Sequence, residues 1–497
     1  MADFLDNFLN NITMYRLLLY YLIGLLVFAV LLSLLGVLSF SPLAIVLSTG
    51  VILASSMLTN YIFAKVFEAP RNFESVYITA LILSLIITPT TALHSLPFLV
   101  WAGVLANASK YILALNKKHI FNPVAVSVFI TALTVNQSAR WWVGTGFMLP
   151  LVIIGGVLIV RKISRQDLVF SFLFMALLTS LGAGALNGSD IVSLAKQIIF
   201  DSPLFFLAFV MLTEPLTTPP TKKLQIIYGG IVGFLFAPQL HLGGFYGTPE
   251  LALLIGNLYS FSVSLKQKLV LTLKERIEIG PNMFDFVFQK NKNFDFLPGQ
   301  YLEWTLEHSK QDSRGSRRYF TVASSPTEKE VRAGIKLYEN SSSFKKALVD
   351  LPQGGKIVAS SLFGDFTLPK DKDRKLVFIA GGIGITPFRS MIKYLIDKGE
   401  RRDLILFYSN REENEILYRE VFDAAEKELG IKVNYILTRI DGRIDEKMVK
   451  ETVPDFTERY FYISGPLNMV TSFKQVLLKL KIKNNQIITD YFPGFRS

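Results

Sequence analysis

The sequence predicts a multi-domain protein: a polytopic α-helical membrane bundle with an inverted repeat, then an antiparallel β-barrel, then an α/β doubly wound domain. Charge is unevenly divided, because residues 1–265 hold 13 Lys/Arg and 9 Asp/Glu, whereas residues 266–497 hold 39 and 31. Segments 17–64 and 75–109 contain no charged residue. After residue 371, apolar runs end in glycine or serine, as buried parallel strands do. We therefore place three domains at residues 1–265, 266–370 and 371–497.

Membrane helices explain the uncharged runs. Segment 17–64 has 48 residues without a charge and segment 75–109 has 35, and a membrane-spanning helix needs about 20 apolar residues. The apolar core of a signal peptide has only about 7–15 residues, and a buried helix of a soluble protein is also shorter. We expect about ten spans, near residues 14–36, 42–65, 75–90, 93–114, 120–136, 144–161, 167–186, 193–213, 224–240 and 250–265.

Loop charges orient this bundle. If the charged C-terminal half is cytoplasmic and there are ten spans, the N-terminus is cytoplasmic too, and basic residues should concentrate in cytoplasmic loops. The opposite loops contain little beyond Arg140. The cytoplasmic loops contain Lys65, Arg71, Lys117, Lys118, Arg161, Lys162, Arg165, Lys222 and Lys223. We therefore expect a multi-pass protein of the cell (inner) membrane that contacts the lipid bilayer.

The overall charge and the cysteine count exclude several classes. Basic loops that face anionic lipid account for the net charge of +12, so we expect no nucleic-acid partner. The chain has no cysteine, which excludes disulfides and the four-cysteine ligation of an ordinary iron–sulfur cluster. We also expect no metal site.

The first half contains an internal repeat. Ile86–Thr91 resembles Met211–Thr218, and Thr213 lies 125 residues after Thr88; Pro249 lies 126 residues after Pro123. Halves of five spans each must be inverted relative to one another, and matching Pro/Thr interruptions indicate a site near the middle of the membrane. Two acids, Asp201 and Glu214, lie within or beside spans; they bind ions, protons or a polar ring edge, or they reach water at helix ends.

A predicted strand, residues 317–321, carries arginine, aromatic and hydroxyl side chains together. Because side chains alternate along a strand, Arg318 and Phe320 share one face, and Tyr319 and Thr321 share the other. A flat anionic cofactor needs such groups: an arginine for phosphate, an aromatic ring for stacking and a hydroxyl for a ring nitrogen. An amphipathic edge strand is the alternative interpretation of these residues alone.

Further motifs follow in order, and together they resemble the ferredoxin–NADP reductase superfamily over residues 266–497. The upstream motif is Pro298-Gly299-Gln300-Tyr301. The downstream motifs are Ser341-Ser342-Ser343-Phe344, Gly364-Asp365-Phe366, Gly381-Gly382-Ile383-Gly384-Ile385-Thr386-Pro387, Tyr408-Ser409-Asn410-Arg411 and Ser464-Gly465-Pro466.

The resemblance implies an FAD site. Arg318 would contact the pyrophosphate, Phe320 would stack near the isoalloxazine with Tyr319 beside it, and Thr321 would approach the reactive N5 edge. The serine run would supply hydroxyls and amides to the pyrophosphate, or form a flexible loop. The remaining expected FAD neighbours are Ile335, Lys336, Leu337, Ser341, Ser342 and Ser343.

The resemblance also implies a nicotinamide site, because a strand, a glycine turn and a helix N-terminus favour phosphate. We expect its residues to be Gly381, Gly382, Gly384, Ile385, Thr386, Pro387, Ser409, Asn410, Arg411, Gly465, Pro466, Asn468 and Met469. Thr321, Ser464 and Phe495 are the expected catalytic residues. Many members of the family have cysteine at Ser464, and Phe495 either covers the flavin or simply packs. Arg411 favours a 2′-phosphate and Glu412 and Glu413 oppose one, so NADH and NADPH stay open.

A second resemblance covers about residues 10–260. Ser109-Lys110-Tyr111, Lys118–Pro123 and Met211–Thr217 are similar to the family of flavin-carrying membrane proteins found in the Rnf and sodium-pumping NADH:quinone reductase complexes. That family holds flavin in an inverted-repeat bundle, commonly as covalent flavin mononucleotide (FMN) on a threonine. Phe200-Asp201-Ser202-Pro203 replaces the usual acceptor stretch, so we expect noncovalent FMN or riboflavin, with Ser202 linkage as the exception. Ser202, Thr213 and Asn122 are the expected neighbours of this carrier.

The two resemblances together imply a membrane-bound NAD(P)H-dependent flavin oxidoreductase. Electrons would pass from NAD(P)H through FAD to the membrane carrier and on to a quinone, an extracytoplasmic acceptor or further redox proteins. The alternative is an ion or solute transporter gated or driven by the flavin domain, and flavin content would discriminate between them. A haem-based reductase is disfavoured, because His94, His119 and His241 show no pairing at helical spacing.

Overall fold

A computed structural model describes residues 9, 12–67, 73–242, 245–312 and 314–491 of the 497-residue chain. The chain divides into two compact units, Met1–Lys268 and Leu269–Ser497. The division lies just after Leu265, where the charge content of the sequence changes. Of the residues on which the sequence analysis relied, Arg71 and Phe495 lie outside the described residues.

Helices make up most of the described N-terminal unit. They are α1 (Met14–Leu34), α2 (Pro42–Val66), α3 (Phe73–Ile86), α4 (Leu96–Ile112), α5 (Pro123–Val135), α6 (Leu149–Ile163), α7 (Gln166–Leu186), α8 (Ile191–Phe200), α9 (Leu204–Met211), α10 (Lys222–Leu235) and α11 (Pro249–Val263). Two short hairpins pair β1 (Ala114–Leu115) with β2 (Lys118–His119), and β3 (His241–Leu242) with β4 (Phe245–Tyr246).

Fewer helices than expected have the length and composition of a full span. Among the described residues, α1, α2 and α7 are long and apolar enough to cross a membrane. The bent pair α8–α9, with a 52° angle at its break, would make a fourth if it forms one span. Each of the ten predicted intervals nevertheless contains helix, while the identity of these helices as ten membrane spans stays a prediction.

The Pro and Thr interruptions identified in the sequence mark helix boundaries. α3 ends at Ile86, just before Thr88-Pro89. α5 and α11 each begin with proline in the first turn, and the preceding Asn122 and Thr248 side chains accept hydrogen bonds from the first N–H groups of their helices. Proline fits the first turn because its missing N–H would be unpaired there in any case. These boundaries make both helices shorter than the apolar runs that contain them.

The two halves of the unit repeat one packing pattern. In the first half, α2 packs against α4, α4 against α5 and α1 against α3. In the second half, α7 packs against α10, α10 against α11 and α6 against α9. The corresponding helices α1 and α6 contact each other, and so do α5 and α11. This pattern agrees with an internal repeat of five helices, whose inversion across a membrane stays a prediction.

The C-terminal unit begins with a six-stranded antiparallel sheet. Its strands are β5 (Leu269–Gly280), β6 (Met283–Lys290), β7 (Tyr301–Thr305), β8 (Arg317–Thr321), β9 (Glu330–Lys336) and β10 (Lys356–Phe363), in the order β8-β7-β10-β5-β6-β9. A short helix, α12 (Ser343–Val349), lies between β9 and β10. Apolar and polar residues alternate along much of Leu269–Gln289, as in paired strands, and this segment forms the β5–β6 hairpin.

The edges of this sheet approach each other just after β8. The Ala323 N–H donates to the Arg332 carbonyl in β9 at 2.8 Å. Among the described residues no strand ladder joins β8 to β9, so a closed barrel stays a prediction. Trp304, Phe286 and Phe288 fill the interior of the sheet and are fully buried.

A five-stranded parallel sheet follows. Its strands are β11 (Leu376–Gly381), β12 (Leu404–Asn410), β13 (Lys432–Leu437), β14 (Tyr460–Gly465) and β15 (Ile487–Tyr491), in the order β13-β12-β11-β14-β15. The helices between them are α13 (Thr386–Lys398), α14 (Arg419–Leu429), α15 (Glu446–Thr452) and α16 (Leu467–Lys479). Separate cores cover the two faces, one around Phe378 and Phe388 and the other around Phe407 and Phe461. This is the predicted doubly wound arrangement, and its strand order reverses between β11 and β14.

Buried polar contacts fasten the parallel sheet to the antiparallel one. The Arg389 guanidinium of α13 donates to both carboxylate oxygens of Glu328, at 2.5 and 2.9 Å, and to the Ala323 carbonyl at 3.0 Å. The Ser390 hydroxyl donates to the Ser324 carbonyl at 2.7 Å. Two-pronged arginine–carboxylate pairs fix geometry as well as adding energy, so the two sheets hold a defined relative position.

Candidate functional site

Arg318 and Phe320 lie on the same face of β8, as strand alternation predicted. The Arg318 guanidinium lies 5.5 Å from the centre of the Phe344 ring, and the Phe320 ring centre lies 5.9 Å from that of Phe344. Arg318 Nη1 also donates to the carbonyl oxygens of Arg314 at 2.7 Å and of Arg317 at 2.5 Å. The guanidinium is therefore held in place by the chain segment that precedes the strand.

Two further cations lie near this arginine. Arg314 and Lys345 join Arg318, and Lys345 donates to the Lys336 carbonyl at 2.8 Å. Burial, followed by the charges of Arg318 and Arg314, lowers the pKa of Lys345 to about 8. We call Arg314, Arg318 and Lys345 the basic cluster; it is suited to a polyanion such as a pyrophosphate.

One carboxylate, Asp312, already lies against the basic cluster. It accepts from Arg314 Nε at 3.0 Å and from the Ser343 N–H at 2.9 Å, and it lies 3.7 Å from Arg318 Nη2. Burial alone would raise the pKa of Asp312, but the Ser343 and Arg314 N–H groups and the two guanidinium charges outweigh it and lower the pKa. Asp312 thus occupies N–H donors and positive charges that could otherwise contact a phosphate.

The serine run has local hydrogen-bond partners. The Ser341 hydroxyl accepts from the Tyr338 N–H at 2.7 Å. The Ser342 hydroxyl accepts from the Lys345 N–H at 3.3 Å and caps the N-terminus of α12. The Ser343 hydroxyl contacts His308 Nε2 at 2.9 Å and accepts from the Asp312 N–H at 3.0 Å. These hydroxyls organise the turn before α12, so a contact with phosphate would have to replace existing bonds.

On the opposite face of β8, Thr321 and Tyr319 differ in environment. Thr321 is 3% exposed, and its hydroxyl has no hydrogen-bond partner among the described residues. Tyr319 is exposed, and its hydroxyl donates to the buried Glu303 carboxylate at 2.9 Å. A buried hydroxyl without a partner costs about 1–3 kcal/mol, so Thr321 is the stronger candidate for contact with a ligand.

The motifs of the parallel sheet meet at the carboxyl ends of its strands. Gly381 pairs with Ser409 on β12, and Ala380 pairs with Ser464 on β14. A Cβ on Gly384 would lie 2.4 Å from the Ser464 carbonyl oxygen, so the turn after β11 packs directly on the end of β14. Gly382 has a positive φ of 52° and open space around its Cα. In doubly wound sheets generally, ligands bind at the edge where the strand order reverses.

The remaining predicted nicotinamide residues border the same edge. Ile385 is buried, and Thr386 and Pro387 begin α13. Pro466 precedes α16, which includes Asn468, and the Met469 sulfur would lie 2.1 Å from a Cβ on Gly381. Asn410 is buried at the end of β12, and the adjacent Arg411 is exposed. Gly465 pairs with Tyr491.

Two features of this edge matter for a ligand. The Ser464 hydroxyl is fully buried and has no partner within the described chain. Beyond β12, Glu412 pairs with Arg439, and the Glu415 carboxylate accepts the Arg411 N–H at 3.1 Å. The structure therefore places charges of both signs near the expected ribose position, and the choice between NADH and NADPH stays open.

The two half-sites adjoin through β9. A Cβ on Gly334 would lie 2.7 Å from Thr386 Cγ2 and 3.3 Å from Ile383 Cδ1. Ile335 is buried, Lys336 pairs with Glu415 at 3.0 Å, and the Leu337 N–H donates to the Asn282 carbonyl at 2.8 Å. The strand predicted to run beside FAD thus touches the glycine turn predicted to hold the dinucleotide.

Sequence reasoning missed Lys345, Arg314 and Asp312. Arg314 and Asp312 precede β8 by a few residues, so a charged segment before the Arg318 strand was an available signal. Lys345 lies 27 positions after Arg318 and approaches it only because α12 packs over Phe320. No local pattern distinguishes this lysine from its neighbour Lys346.

In the N-terminal unit, Asn122 and Thr213 belong to one polar cluster around Glu214. The Asn122 side chain donates to the Glu214 carboxylate at 2.9 Å, and its backbone N–H donates to Asn257 at 2.8 Å. The Arg165 guanidinium donates to the Thr213 carbonyl at 2.8 Å. The structure therefore brings together two of the three residues predicted to border a membrane carrier.

Ser202 lies apart from this cluster. It precedes α9, whereas Thr213 follows that helix, and its hydroxyl donates to the Ile198 carbonyl at 2.5 Å. Asp201 is exposed at the end of α8, which agrees with the alternative interpretation of this residue as an acid at a helix end.

The other two Thr/Pro stretches, near residues 86–91 and 248–249, belong to a second cluster. The Ile86 carbonyl accepts from the Trp141 N–H at 2.9 Å, Trp142 Nε1 donates to the Ile87 carbonyl at 3.0 Å, and Trp141 Nε1 donates to Glu250 at 2.8 Å. Asn257 of the first cluster lies seven residues beyond Glu250 on α11, which is about 10 Å along a helix. The Thr/Pro stretches, which in the sequence indicated one site near the middle of the membrane, therefore belong to two clusters.

Known proteins resemble the C-terminal part. Residues 378–475 match the oxidoreductase NAD-binding domain family. Flavohemoprotein A of Dictyostelium discoideum is 22% identical over 233 residues, 44% of this chain and 58% of that protein. The phenol hydroxylase P5 protein of Acinetobacter pittii is 26% identical over 233 residues, 44% of this chain and 64% of that protein. The solved Amycolatopsis cytochrome P450 reductase GcoB is 20% identical, with TM-score 0.42, over 46% of this chain and 71% of that chain.

The chain spans 58% to 64% of the length of these two curated relatives. The matched domain covers β11 through most of α16, which includes the glycine turn and Ser464. The C-terminal unit therefore contains a segment similar to oxidoreductase NAD-binding domains, and the chain resembles a flavohemoprotein and a phenol hydroxylase P5 protein over less than half of its length.

Proposed function

We propose that this chain is a membrane-bound NAD(P)H-dependent FAD oxidoreductase that passes electrons into its helical unit. The observation that carries the proposal is the junction at β9, where the glycine turn of the parallel sheet touches the strand beside the basic cluster. A dinucleotide at the first and a flavin at the second would meet there. Relatives named as reductases or flavohemoproteins support the same activity.

The residues present fit FAD. The basic cluster supplies three cations where a pyrophosphate needs them, and the aromatic rings of Phe320 and Phe344 lie beside it. The buried Thr321 hydroxyl has no partner among the described residues and is available to a ring nitrogen. When bound, FAD takes a hydride from the nicotinamide and releases electrons one at a time.

The chain's own groups would position the reactants. Gly382 and Gly384 would let the dinucleotide backbone approach the end of β11, and the N-terminus of α13 would favour its phosphates. The Ser464 hydroxyl would hydrogen-bond the nicotinamide, and Thr321 would orient the flavin edge. The Arg389–Glu328 pair holds the two sheets in register, which matters because a shift of 1 Å between reacting groups can cost about 10²-fold in rate.

Thr321→Val should separate catalysis from stability. The change removes a buried hydroxyl without a partner and keeps the shape of the side chain, so the free energy of unfolding should stay equal or rise by up to about 1 kcal/mol. Reduction of FAD by NADH should slow by about tenfold, the value of one hydrogen bond. Stopped-flow absorbance and thermal unfolding would measure the two effects. Thr272→Val on β5 is the matched control, and equal slowing there would contradict the assigned role.

Lys345 should make FAD binding pH-dependent. Its pKa of about 8 in the free protein means that it loses its charge as the pH rises through that value. A bound pyrophosphate favours the charged form, so the Kd for FAD should rise by about tenfold per pH unit above pH 8. Fluorescence titration between pH 7 and 10 would measure this. In Lys345→Gln the dependence of the Kd on pH should disappear. A dependence that persists would show that another group is responsible for it.

We further propose that the helical unit is the ten-span, inverted-repeat membrane domain indicated by its resemblance to the Rnf-type membrane proteins. The N-terminus and the FAD/NAD(P) domains would be cytoplasmic.

The hydrocarbon core is about 30 Å thick, too far for one electron-transfer step, so the bundle needs a carrier. Covalent FMN on Ser202 does not fit this arrangement. The Ser202 hydroxyl donates a hydrogen bond to the Ile198 carbonyl and lies away from the Asn122–Glu214 cluster. Noncovalent FMN or riboflavin is the proposed carrier, with a quinone, an extracytoplasmic acceptor or further redox proteins beyond it.

Flavin stoichiometry tests the proposal. The full chain is purified in detergent, its absorbance is recorded, and FAD, FMN and riboflavin are separated after denaturation. We expect FAD plus a second flavin, both bleached by NADH or NADPH. FAD that neither nucleotide reduces would contradict the oxidoreductase. FAD alone would favour a flavin-gated ion or solute transporter, for which the supporting observation is that Glu214 and Glu250 both lie among polar partners within the helical unit.

A further inference from the structure

We propose that Glu214 and His119 form a proton-binding site in the N-terminal unit, which takes up one proton when that unit receives an electron. Glu214 lies between α9 and the turn Pro215–Thr217, and His119 lies on β2. The electron supply rests on the proposed function, whereas the site itself rests on the contacts of these two residues.

The Glu214 carboxylate is held by donors on one side only. Its Oε2 accepts from Asn122 Nδ2 at 2.9 Å and from the Thr217 hydroxyl at 3.2 Å. The orientation of the Asn122 amide is fixed, because its Oδ1 accepts from the Val124 N–H at 3.0 Å and the Ala125 N–H at 3.1 Å. Oε2 is therefore saturated by donors, and Oε1 faces His119.

His119 presents a buried nitrogen to that oxygen. The residue is 8% exposed, and its Nε2 has no hydrogen-bond partner among the described residues. Nε2 lies 3.8 Å from Glu214 Oε1, which exceeds a direct hydrogen bond. Across a gap of this length a water can bridge two polar atoms. The pair can thus share one proton across a short gap, with imidazole and carboxylate as alternative carriers.

The surroundings favour a proton over a metal cation. Hard cations need several oxygen acceptors, but the neighbours of Oε2 are donors. The described residues contain no group of three or more His, Asp or Glu side chains arranged to hold a metal. Basic residues predominate among the other charged and titratable groups that face the pair, which are Lys110, Lys118, Arg165, Tyr228 and Lys268. This positive field stabilises an arriving electron.

The site can exchange with water. The Glu214 side chain is 24% exposed and that of His119 is 9% exposed, so the proton enters at the carboxylate and is shared with the ring. In the uptake step a proton from water forms an O–H bond at Glu214 or an N–H bond at His119, and no electron moves to either residue. The added charge offsets that of the incoming electron, and reoxidation releases the proton.

Reduction-induced infrared difference spectroscopy on the full-length protein tests this site. NADH reduces the sample in H₂O and in D₂O, and visible absorbance of FAD is recorded in parallel. We expect a protonated-carboxyl band that appears on reduction, shifts in D₂O, disappears in Glu214→Gln and loses at least half its amplitude in His119→Gln. Asp201→Asn and His94→Gln, exposed residues of the same unit, should keep the full band.

The outcomes separate the two proposals. FAD that neither NADH nor NADPH reduces would overturn the proposed function, and dithionite would then provide the reduced state for the infrared measurement. Absence of the band in the wild type, or its persistence in Glu214→Gln, would overturn the proton site. Glu214→Asp keeps a carboxyl group, so a variant that folds and regains the band would show that the loss in Glu214→Gln is chemical.

Discussion

Gly384→Val should lower the rate of NAD(P)H-dependent FAD reduction by roughly 100-fold or more. A Cβ at this position would lie 2.4 Å from the Ser464 carbonyl oxygen and 2.5 Å from Gly465 Cα. Both are backbone atoms at the end of β14, so they cannot turn aside as a flexible side chain would. The glycine turn must move away from β14, and the dinucleotide loses its approach to the strand end. Stopped-flow reduction under anaerobic conditions measures the rate.

The chemical reductant dithionite should still reduce FAD in Gly384→Val, because the basic cluster and Thr321 lie on the other sheet. Gly399→Ala is the matched control: it lies at the opposite end of α13, has a positive φ of 60° and has no atom within 4 Å of its Cβ position. It should cost stability through backbone strain, of about 1–2 kcal/mol, and leave the reduction rate within about twofold. A normal rate of FAD reduction by NADH in Gly384→Val would show that the dinucleotide does not bind at this turn.

Much of the C-terminal fold could be predicted because its signals are local. Residues 375–392 combine an apolar run, a glycine turn and a helical pattern, and they form β11, that turn and the start of α13. The carboxyl ends of parallel strands share one edge, so the sequence also predicted that Gly381, Ser409 and Ser464 would meet. Their pairing follows from the register of β11 with β12 and β14.

The helical unit shows where hydropathy alone is insufficient. Apolar sequence continues through Ile87 and Leu212, but α3 ends at Ile86 and α9 at Met211. A residue before proline avoids the helical conformation, and proline cannot continue a helix. The chain therefore forms shorter helices than its apolar runs imply, and the number of complete spans could not be counted from composition.

The site was predicted less completely, because several of its contacts depend on distant parts of the chain. The serine run contains donors suited to phosphate, yet Ser343 bonds to His308 and Asp312, which only the tertiary fold brings near. The Thr/Pro stretches were expected to surround one site near the middle of the membrane, but the rise of α11 separates the two clusters to which they belong. Sequence identifies the residue types at a site, and packing decides which of them remain available to a ligand.

Arg318→Ala should raise the Kd for FAD by about 10–150-fold, the equivalent of about 1.5–3 kcal/mol for a hydrogen bond to a charged group. The guanidinium lies over Phe344 beside Arg314 and Lys345 and is oriented by the carbonyls of Arg314 and Arg317. Its loss removes one of three cations and loosens the segment before β8. Arg318→Lys keeps the charge but not the planar fork, and should recover only part of the affinity. FAD retained through gel filtration and quantified by absorbance gives the measurement.

Two further variants decide whether this effect belongs to the phosphate position. Asp312→Asn removes the carboxylate that now lies against Arg314 and Arg318, so it should tighten FAD binding where Arg318→Ala weakens it. Arg374→Ala removes an arginine that lies over Tyr460, on the parallel sheet, and should leave FAD content unchanged. If Arg318→Ala retains full FAD, or if Asp312→Asn releases it, the pyrophosphate does not bind at the basic cluster. Opposite responses of the arginine and the aspartate would instead show that the two anions compete for one set of donors.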